Sequence, residues 1–498
     1  MKKLIFVCFA MISACVCTAT SQRAAPNPPQ FDNLPRHGVI GLRVGPRDTS
    51  RPENPQTNPP MVQIVAPGGA GEAAGFKVGD VIIALDGVPA TTAVEFAHDI
   101  SKRIAGSTAH IRISRAGKEM VLDTVLKPRP PESAPFAEVF YASVTVEGSR
   151  RRTIVTRPKT TGRHPAVLLI EGLGCDSVDG ALTLPTVYGP ILTALGQNNF
   201  VTARVEKSGQ GDSEGPACTD PQSDANREAA GYLAELQALK RYDFVDPDKI
   251  FIFAHSLGPL VNAIVLPQEQ IRGFIAAETV GRSWYEYGLE NVRRQATLIG
   301  EPLDQVDRDV MDHARCASAF YLDHKTSDEV AHMSDTCAAM IHSYAGMPYT
   351  LMQQVGDLNL AQQWKQVNLS VLVIYGTSDP VTSADEGRYL VDLINSFHPG
   401  RASYAEIPGM GHDFARYASQ LEYLNRRTDT KPHPFDDEVV SAMLAWLNQH
   451  LDSQSMRGVV RSPERRAKSR RRIQAIKLRP TTLLGGTLTV PSSSRPSW

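Results

Sequence analysis

Several absences narrow the reading before any motif is considered. No two cysteines are spaced Cys-x-x-Cys, so neither a zinc ribbon nor a dithiol redox motif is supported. No Gly-Lys-Ser/Thr accompanies the glycine-rich stretches, which excludes a phosphate loop. No internal repeat is visible. Charge of one sign is not in excess: 52 Lys and Arg stand against 53 Asp and Glu, so net charge points to no nucleic-acid partner. Nothing in the composition implies a metal or a cofactor. The apolar run of the leader, Leu4 to Ala14, covers about a dozen residues, too few to span a bilayer comfortably.

What is present begins with that leader. Lys2 and Lys3 precede the apolar run, the arrangement of a signal peptide over residues 1–20. Two exits stay open. Ile12-Ser13-Ala14-Cys15 resembles a bacterial lipobox, which would leave a lipidated, membrane-attached Cys15; ordinary cleavage after Ala19 is the other. Either way the rest of the chain is expected to be exported, to the periplasm, the cell envelope or the medium. Residues 21–34 are Pro-rich and read as a linker. A chain of 498 residues exceeds one core and calls for two or three domains.

Residues 35–128 read as the first. Val39 to Val44 alternates like a strand, Ala93 to Ile104 has a helical period, and Ile111 to Arg115 and Met120 to Leu126 read as strands joined by a hairpin turn at residues 116–119. The stretch Ala74-Gly75-Phe76-Lys77-Val78-Gly79-Asp80-Val81, running on to Asp86-Gly87, resembles the core of a bacterial PDZ domain. That resemblance implies a peptide or protein C-terminus added as a strand, its carboxylate held by backbone at Ile40, Gly41 and Leu42. A PDZ domain that only packs on its neighbour stays the alternative.

Residues 129–136 read as a second linker, and from 137 to about 452 strands alternate with helices, which calls for an α/β fold on a mostly parallel sheet. Three places in it carry chemistry. Ile250 to Phe253 is a buried-strand run that ends in Ala254-His255-Ser256-Leu257-Gly258, a Gly-x-Ser-x-Gly elbow with Ala in the first glycine position. Val371 to Tyr375 ends in Gly376-Thr377-Ser378-Asp379. Ala402 to Ile407 leads to Gly411-His412-Asp413-Phe414. The order Ser256, Asp379, His412 resembles the α/β-hydrolase superfamily, most nearly exported esterases of the EstD type.

That resemblance implies a mostly parallel sheet with a helical cap, here residues 282–365. It implies a catalytic Ser256–His412–Asp379 triad, with Glu278 as the rival acid. Its oxyanion loop, His-Gly-x-Gly in the family, falls on Glu171-Gly172-Leu173-Gly174, so the amides of Leu173 and Leu257 become the donors. It brings Cys175 near Cys218, and a stapled cap would join Cys316 to Cys337. Small-molecule esters are the expected substrates. A serine peptidase and a non-catalytic PDZ adaptor stay open beside the esterase. Residues 453–498 form a basic tail expected to be disordered; residues 455–498 carry eleven Lys and Arg and one acid, leaving −11 for the remainder.

Overall fold

A computed structural model describes residues 34–46, 59–90, 92–344, 346–426 and 433–451. The residues read as a signal peptide, with Cys15, most of the first linker and the basic tail lie outside the described residues. No helix among those described is long and apolar enough to cross a membrane.

The N-terminal domain is built on an antiparallel sheet whose strands run in the order Leu42–Pro46, Pro60–Val65, Val81–Leu85, Thr108–Arg115, Lys118–Val125. One helix, Ala93–Ser101, is capped by the Thr92 side chain, which accepts from the Glu95 N–H. Val62, Phe76, Ile82, Phe96, Ile111 and Ile113 fill the core. The strand expected over Val39 to Val44 is broken: Gly38–Val39 pairs with Lys127–Pro128, and Gly41 turns the chain at a φ of +71° before Leu42–Pro46 begins. The hairpin is tighter than its sequence suggests. Only Ala116 and Gly117 make the turn, both at positive φ, and Lys118 and Glu119 already pair.

The larger domain carries eight strands: β1 (Ala137–Val146), β2 (Ser149–Pro158), β3 (His164–Ile170), β4 (Val201–Val205), β5 (Val245–His255), β6 (Gly273–Ala277), β7 (Ser370–Gly376) and β8 (Ala402–Ile407). Their order across the sheet is β8-β7-β6-β5-β3-β4-β2-β1. β3 to β8 run parallel and the β2 and β1 edge antiparallel. The continuous apolar runs follow from burial on both faces. Along β3, Ala166, Leu168 and Ile170 enter one core while Val167 and Leu169 enter the other. β5 repeats the split, with Ile250, Ile252 and Ala254 on one side and Phe251 and Phe253 on the other. Between β6 and β7, the described residues hold six α-helices, from Trp284–Leu298 to Leu360–Gln366, and a π-helical turn, Ser318–Leu322, which form the cap. Its residues Phe320, Leu351, Met352 and Trp364 join the core on the β3 Leu168 side. This order, with the cap between β6 and β7, is the α/β-hydrolase fold.

Residues 129–136, read as a linker, are anchored: the Glu132 carboxylate is fully buried, pairs with the equally buried Arg204, and accepts from the Gly180 and Ala181 N–H groups. Beside it Arg36 pairs with Asp179 at 2.7 Å and Asp212 at 2.9 Å, so the two domains are joined through buried charge. The last helix, Asp437–Leu451, buries Val439, Met443, Trp446 and Leu447, whereas Val440 and Leu444 are only partly covered. The i, i+3, i+4, i+7 spacing of Val440, Met443, Leu444 and Leu447 predicts those four on the inward face, so Val439 and Trp446 take the places expected of Val440 and Leu444.

Candidate active site

β5 ends at His255, and the helix Gly258–Val265 starts three residues later. Ser256 takes up the reversal at a φ of +57°, a left-handed conformation uncommon for a residue with a Cβ. Its surroundings over-determine that geometry. The Ser256 N–H donates to the Ala277 carbonyl at 2.9 Å, and Thr279 Oγ1 donates to the Ser256 carbonyl at 2.7 Å. Gly258 is needed on steric grounds, because a Cβ there would lie 2.7 Å from the Ile170 carbonyl oxygen. Ala254, wholly buried in mid-sheet, meets the same demand for a small side chain.

His412 lies in the loop after β8, and Asp379 in the loop after β7. The ring bridges them to the elbow: His412 Nε2 is 3.0 Å from Ser256 Oγ, and Nδ1 is 2.9 Å from Asp379 Oδ2. Asp379 also accepts from Val381 N–H at 2.6 Å and Thr382 Oγ1 at 2.6 Å. Burial alone would raise its pKa, but the His412 charge and hydrogen bond outweigh that and hold it well below the usual carboxylate range. An ionised carboxylate only accepts, so Nδ1 carries the proton and Nε2 is free to accept from the serine hydroxyl.

Glu278, the rival acid, is fully buried at the end of β6 with a φ of +50°. Burial first, then the Asp379 charge, push its pKa far up, so it stands as a neutral acid behind the Asp379 carboxylate. The hydrogen bond of His412 goes to Asp379. Among the described residues, Glu278, Asp379 and His412 are the group whose potential ligand atoms lie within 4.8 Å of one another. The His412 and Asp379 atoms in it are already engaged with each other and with Thr382.

Above the elbow runs Glu171-Gly172-Leu173-Gly174. A Cβ on Gly172 would lie 2.8 Å from Ser256 Cβ, so this loop passes directly over the serine. Leu173 is half-buried, and Leu257 is buried at the N-terminus of the elbow helix. His255 connects these parts. Its Nε2 donates to the His412 carbonyl at 2.9 Å, so Nδ1 accepts from Tyr188 Oη, also at 2.9 Å. The same phenol oxygen accepts the Gly172 N–H at 3.2 Å. Burial, then the nearness of His412, lower the His255 pKa to about 3, so the ring stays neutral and serves as a strut.

The loop after β4 grips the same stretch from the other side. Lys207 Nζ donates to the Gly172 and Gly174 carbonyls at 2.9 and 2.8 Å, and Gln210 donates to the Cys175 carbonyl. Cys175 and Cys218 form a disulfide, as do Cys316 and Cys337 within the cap. In sequence, residues 207–215 are a glycine-rich stretch that reads as a structural turn, and neither Lys207 nor Tyr188 stands out as a site residue. The available signal was a lysine two residues beyond the apolar strand β4, at the end of the sheet where the chemistry gathers.

In the N-terminal domain Ile40 is buried, Gly41 lies against the Gly69 backbone, and Leu42 opens the strand at one edge of the sheet. The Ile40 and Gly41 carbonyls accept from Gly71 and Ala66 N–H groups. This fixes the loop at the entrance to the edge strand.

A family model described as a PDZ domain matches residues 38–126. A search of curated proteins finds no match. Among solved structures the chain is similar to Est1E from Butyrivibrio proteoclasticus, at 14% identity over 62% of this chain and 99% of that one, with a TM-score of 0.38. It is similar to the esterase Pf2001 of Pyrococcus furiosus, at 12% identity over 64% and 96%, with a TM-score of 0.41. It is also similar to a proline iminopeptidase of Mycobacterium smegmatis, at 18% identity over 62% and 98%, with a TM-score of 0.38. The chain therefore joins a PDZ domain to an α/β-hydrolase fold.

Proposed function

We propose that this chain is an exported serine hydrolase that cleaves carboxylic esters through an acyl-Ser256 intermediate. The observation that carries the reading is the continuous Ser256–His412–Asp379 hydrogen-bond chain, ending on a serine held at positive φ. Ser256 Oγ attacks the ester carbonyl as His412 Nε2 takes its proton. Asp379 keeps Nδ1 protonated and stabilises the imidazolium. The Leu173 and Leu257 amides receive the oxyanion, the alcohol leaves with the His412 proton, and water then hydrolyses the acyl-enzyme by the same route. These steps need only the chain's own groups and water.

The domain layout is part of the proposal. A signal peptide is removed or lipidated at Cys15, residues 35–128 bind a peptide or protein C-terminus at Ile40, Gly41 and Leu42, residues 137–452 do the chemistry, and the basic residues 453–498 follow. Two disulfides are what an oxidising compartment permits, and they support export.

The test is hydrolysis of p-nitrophenyl acyl esters of graded length beside aminoacyl-p-nitroanilides, with Ser256→Ala as control. Ester turnover lost in the variant, with little anilide turnover, is expected. Ser256-dependent anilide turnover in its place would make the chain a peptidase, and no Ser256-dependent turnover on either would leave the PDZ adaptor.

A further inference from the structure

Lys207 does work that the triad description leaves out. Its side chain is almost wholly buried, and burying an ammonium costs several kcal/mol unless its donors and charge are matched. Here two donors go to the Gly172 and Gly174 carbonyls at 2.9 and 2.8 Å, and the charge is met by Glu228 at 3.4 Å; Glu171, whose pKa burial pushes up to about 8, stands farther off at 4.0 Å. A buried ion pair is a costly means of holding two loop carbonyls if shape were the only need.

Peptide geometry says what this hold does. In a trans peptide the carbonyl of one residue and the N–H of the next point in opposite directions. With the Gly172 carbonyl drawn to Lys207, the Leu173 N–H is turned away from Lys207, in a loop whose Gly172 lies against Ser256. The neighbouring Gly172 N–H is already given to Tyr188 Oη, which leaves Leu173 as the free donor of that pair. A positive charge on the carbonyl also polarises that peptide group and strengthens its N–H as a donor.

We infer that Lys207 is a positioning residue that aims and polarises the Leu173 amide toward the oxyanion. This rests on the serine-hydrolase reading. Tyr188 holds the other side of the same glycine, and Gln210 the carbonyl of Cys175. The loop after β4 and Tyr188 thus hold the stretch Gly172–Cys175 from two sides.

The experiment uses the full chain carrying Lys207→Met, Lys207→Arg, and the pair Lys207→Met with Glu228→Leu, which removes the buried ion together with its partner. Each is measured for kcat, KM and the pH profile of kcat/KM on a p-nitrophenyl ester, and for inhibition by a trifluoromethyl ketone. An oxyanion donor lost outright costs about 100- to 1000-fold in kcat, and one still present but misaimed predicts a smaller fall of about 10- to 100-fold. KM and the pH profile stay in place. Ketone affinity falls by about the same factor as kcat, and Lys207→Arg recovers most of both. If Lys207→Met fails to fold, the double variant carries the test. Wild-type kcat in either Met variant, or a kcat loss without loss of ketone affinity, overturns the assignment. Absence of Ser256-dependent turnover in the wild type would overturn the serine-hydrolase reading, and this proposal with it.

Discussion

Gly172→Ala is the sharpest steric perturbation available at the site. The new methyl would lie 2.8 Å from Ser256 Cβ and 3.3 Å from Oγ and the His255 carbonyl oxygen. Carbon–carbon contact is comfortable at about 3.5–4.0 Å, so the loop and the serine must separate by close to 1 Å. Neither side yields easily. The loop is held by Lys207, Tyr188 and the Cys175 disulfide, and Ser256 by Ala277 and Thr279. Overpacking of this kind costs about 1–3 kcal/mol of stability, and a displacement near 1 Å between nucleophile and oxyanion donor costs about 100-fold in rate. The expected result is a kcat about 100-fold down on a p-nitrophenyl ester, with the thermal midpoint lowered by only a few degrees. Gly400→Ala is the control. Its φ is +75° but no atom lies within 4 Å of the added methyl, so it strains a remote turn and leaves catalysis alone. Wild-type kcat in Gly172→Ala, or an equal loss in Gly400→Ala, would refute the reasoning.

The other expectations concern the acids, the buried histidine and the disulfides. Asp379→Asn should lower kcat by about 10⁴-fold, because the amide can no longer hold the Nδ1–H tautomer. Glu278→Gln should stay within a few-fold of wild type, since His412 Nδ1 bonds Asp379 and not Glu278; the reverse ranking in steady-state kinetics would make Glu278 the acid. His255 has its pKa lowered from 6.5 to about 3. The folded state therefore binds fewer protons than the unfolded one, and the stability from this group is present above pH 6.5 and lost as pH falls toward 3. The full shift corresponds to roughly 5 kcal/mol, of which about 3 kcal/mol falls between pH 7 and pH 4 and is read by urea titrations at those two values; His255→Gln should flatten that dependence, and an unchanged slope would contradict it. Reduction should cost up to about 4 kcal/mol for Cys175–Cys218, which closes 43 residues, and about 3 for Cys316–Cys337, which closes 21. In Cys175→Ser with Cys218→Ser, kcat should fall alongside the melting temperature; in Cys316→Ser with Cys337→Ser, the melting temperature should fall more than kcat.

The parts of this protein that obey local rules were readable from the sequence. Apolar runs such as Ala166 to Ile170 fit a strand buried on both faces, and glycines mark where backbone passes close to backbone, as at Gly172 and Gly258. The residues brought to the elbow could be listed in advance because each follows a strand in a fixed order. What stayed hidden depends on contacts between distant segments. Glu132 looks like a linker acid until Arg204, 72 residues on, is seen beside it. Tyr188 and Lys207 sit in unremarkable sequence, and only the fold brings them to Gly172. On the last helix Trp446, packed edge-on to Phe251, takes a core position that the aliphatic spacing alone assigned to its neighbours.

The central claim is that Ser256 is acylated. Rapid acid quench of the full chain during turnover of p-nitrophenyl acetate, followed by peptide mass spectrometry, reads it directly. The account predicts one acetyl group on the peptide containing Ser256 and none in Ser256→Ala. Turnover without an adduct, or an adduct on another residue that persists in Ser256→Ala, would contradict it.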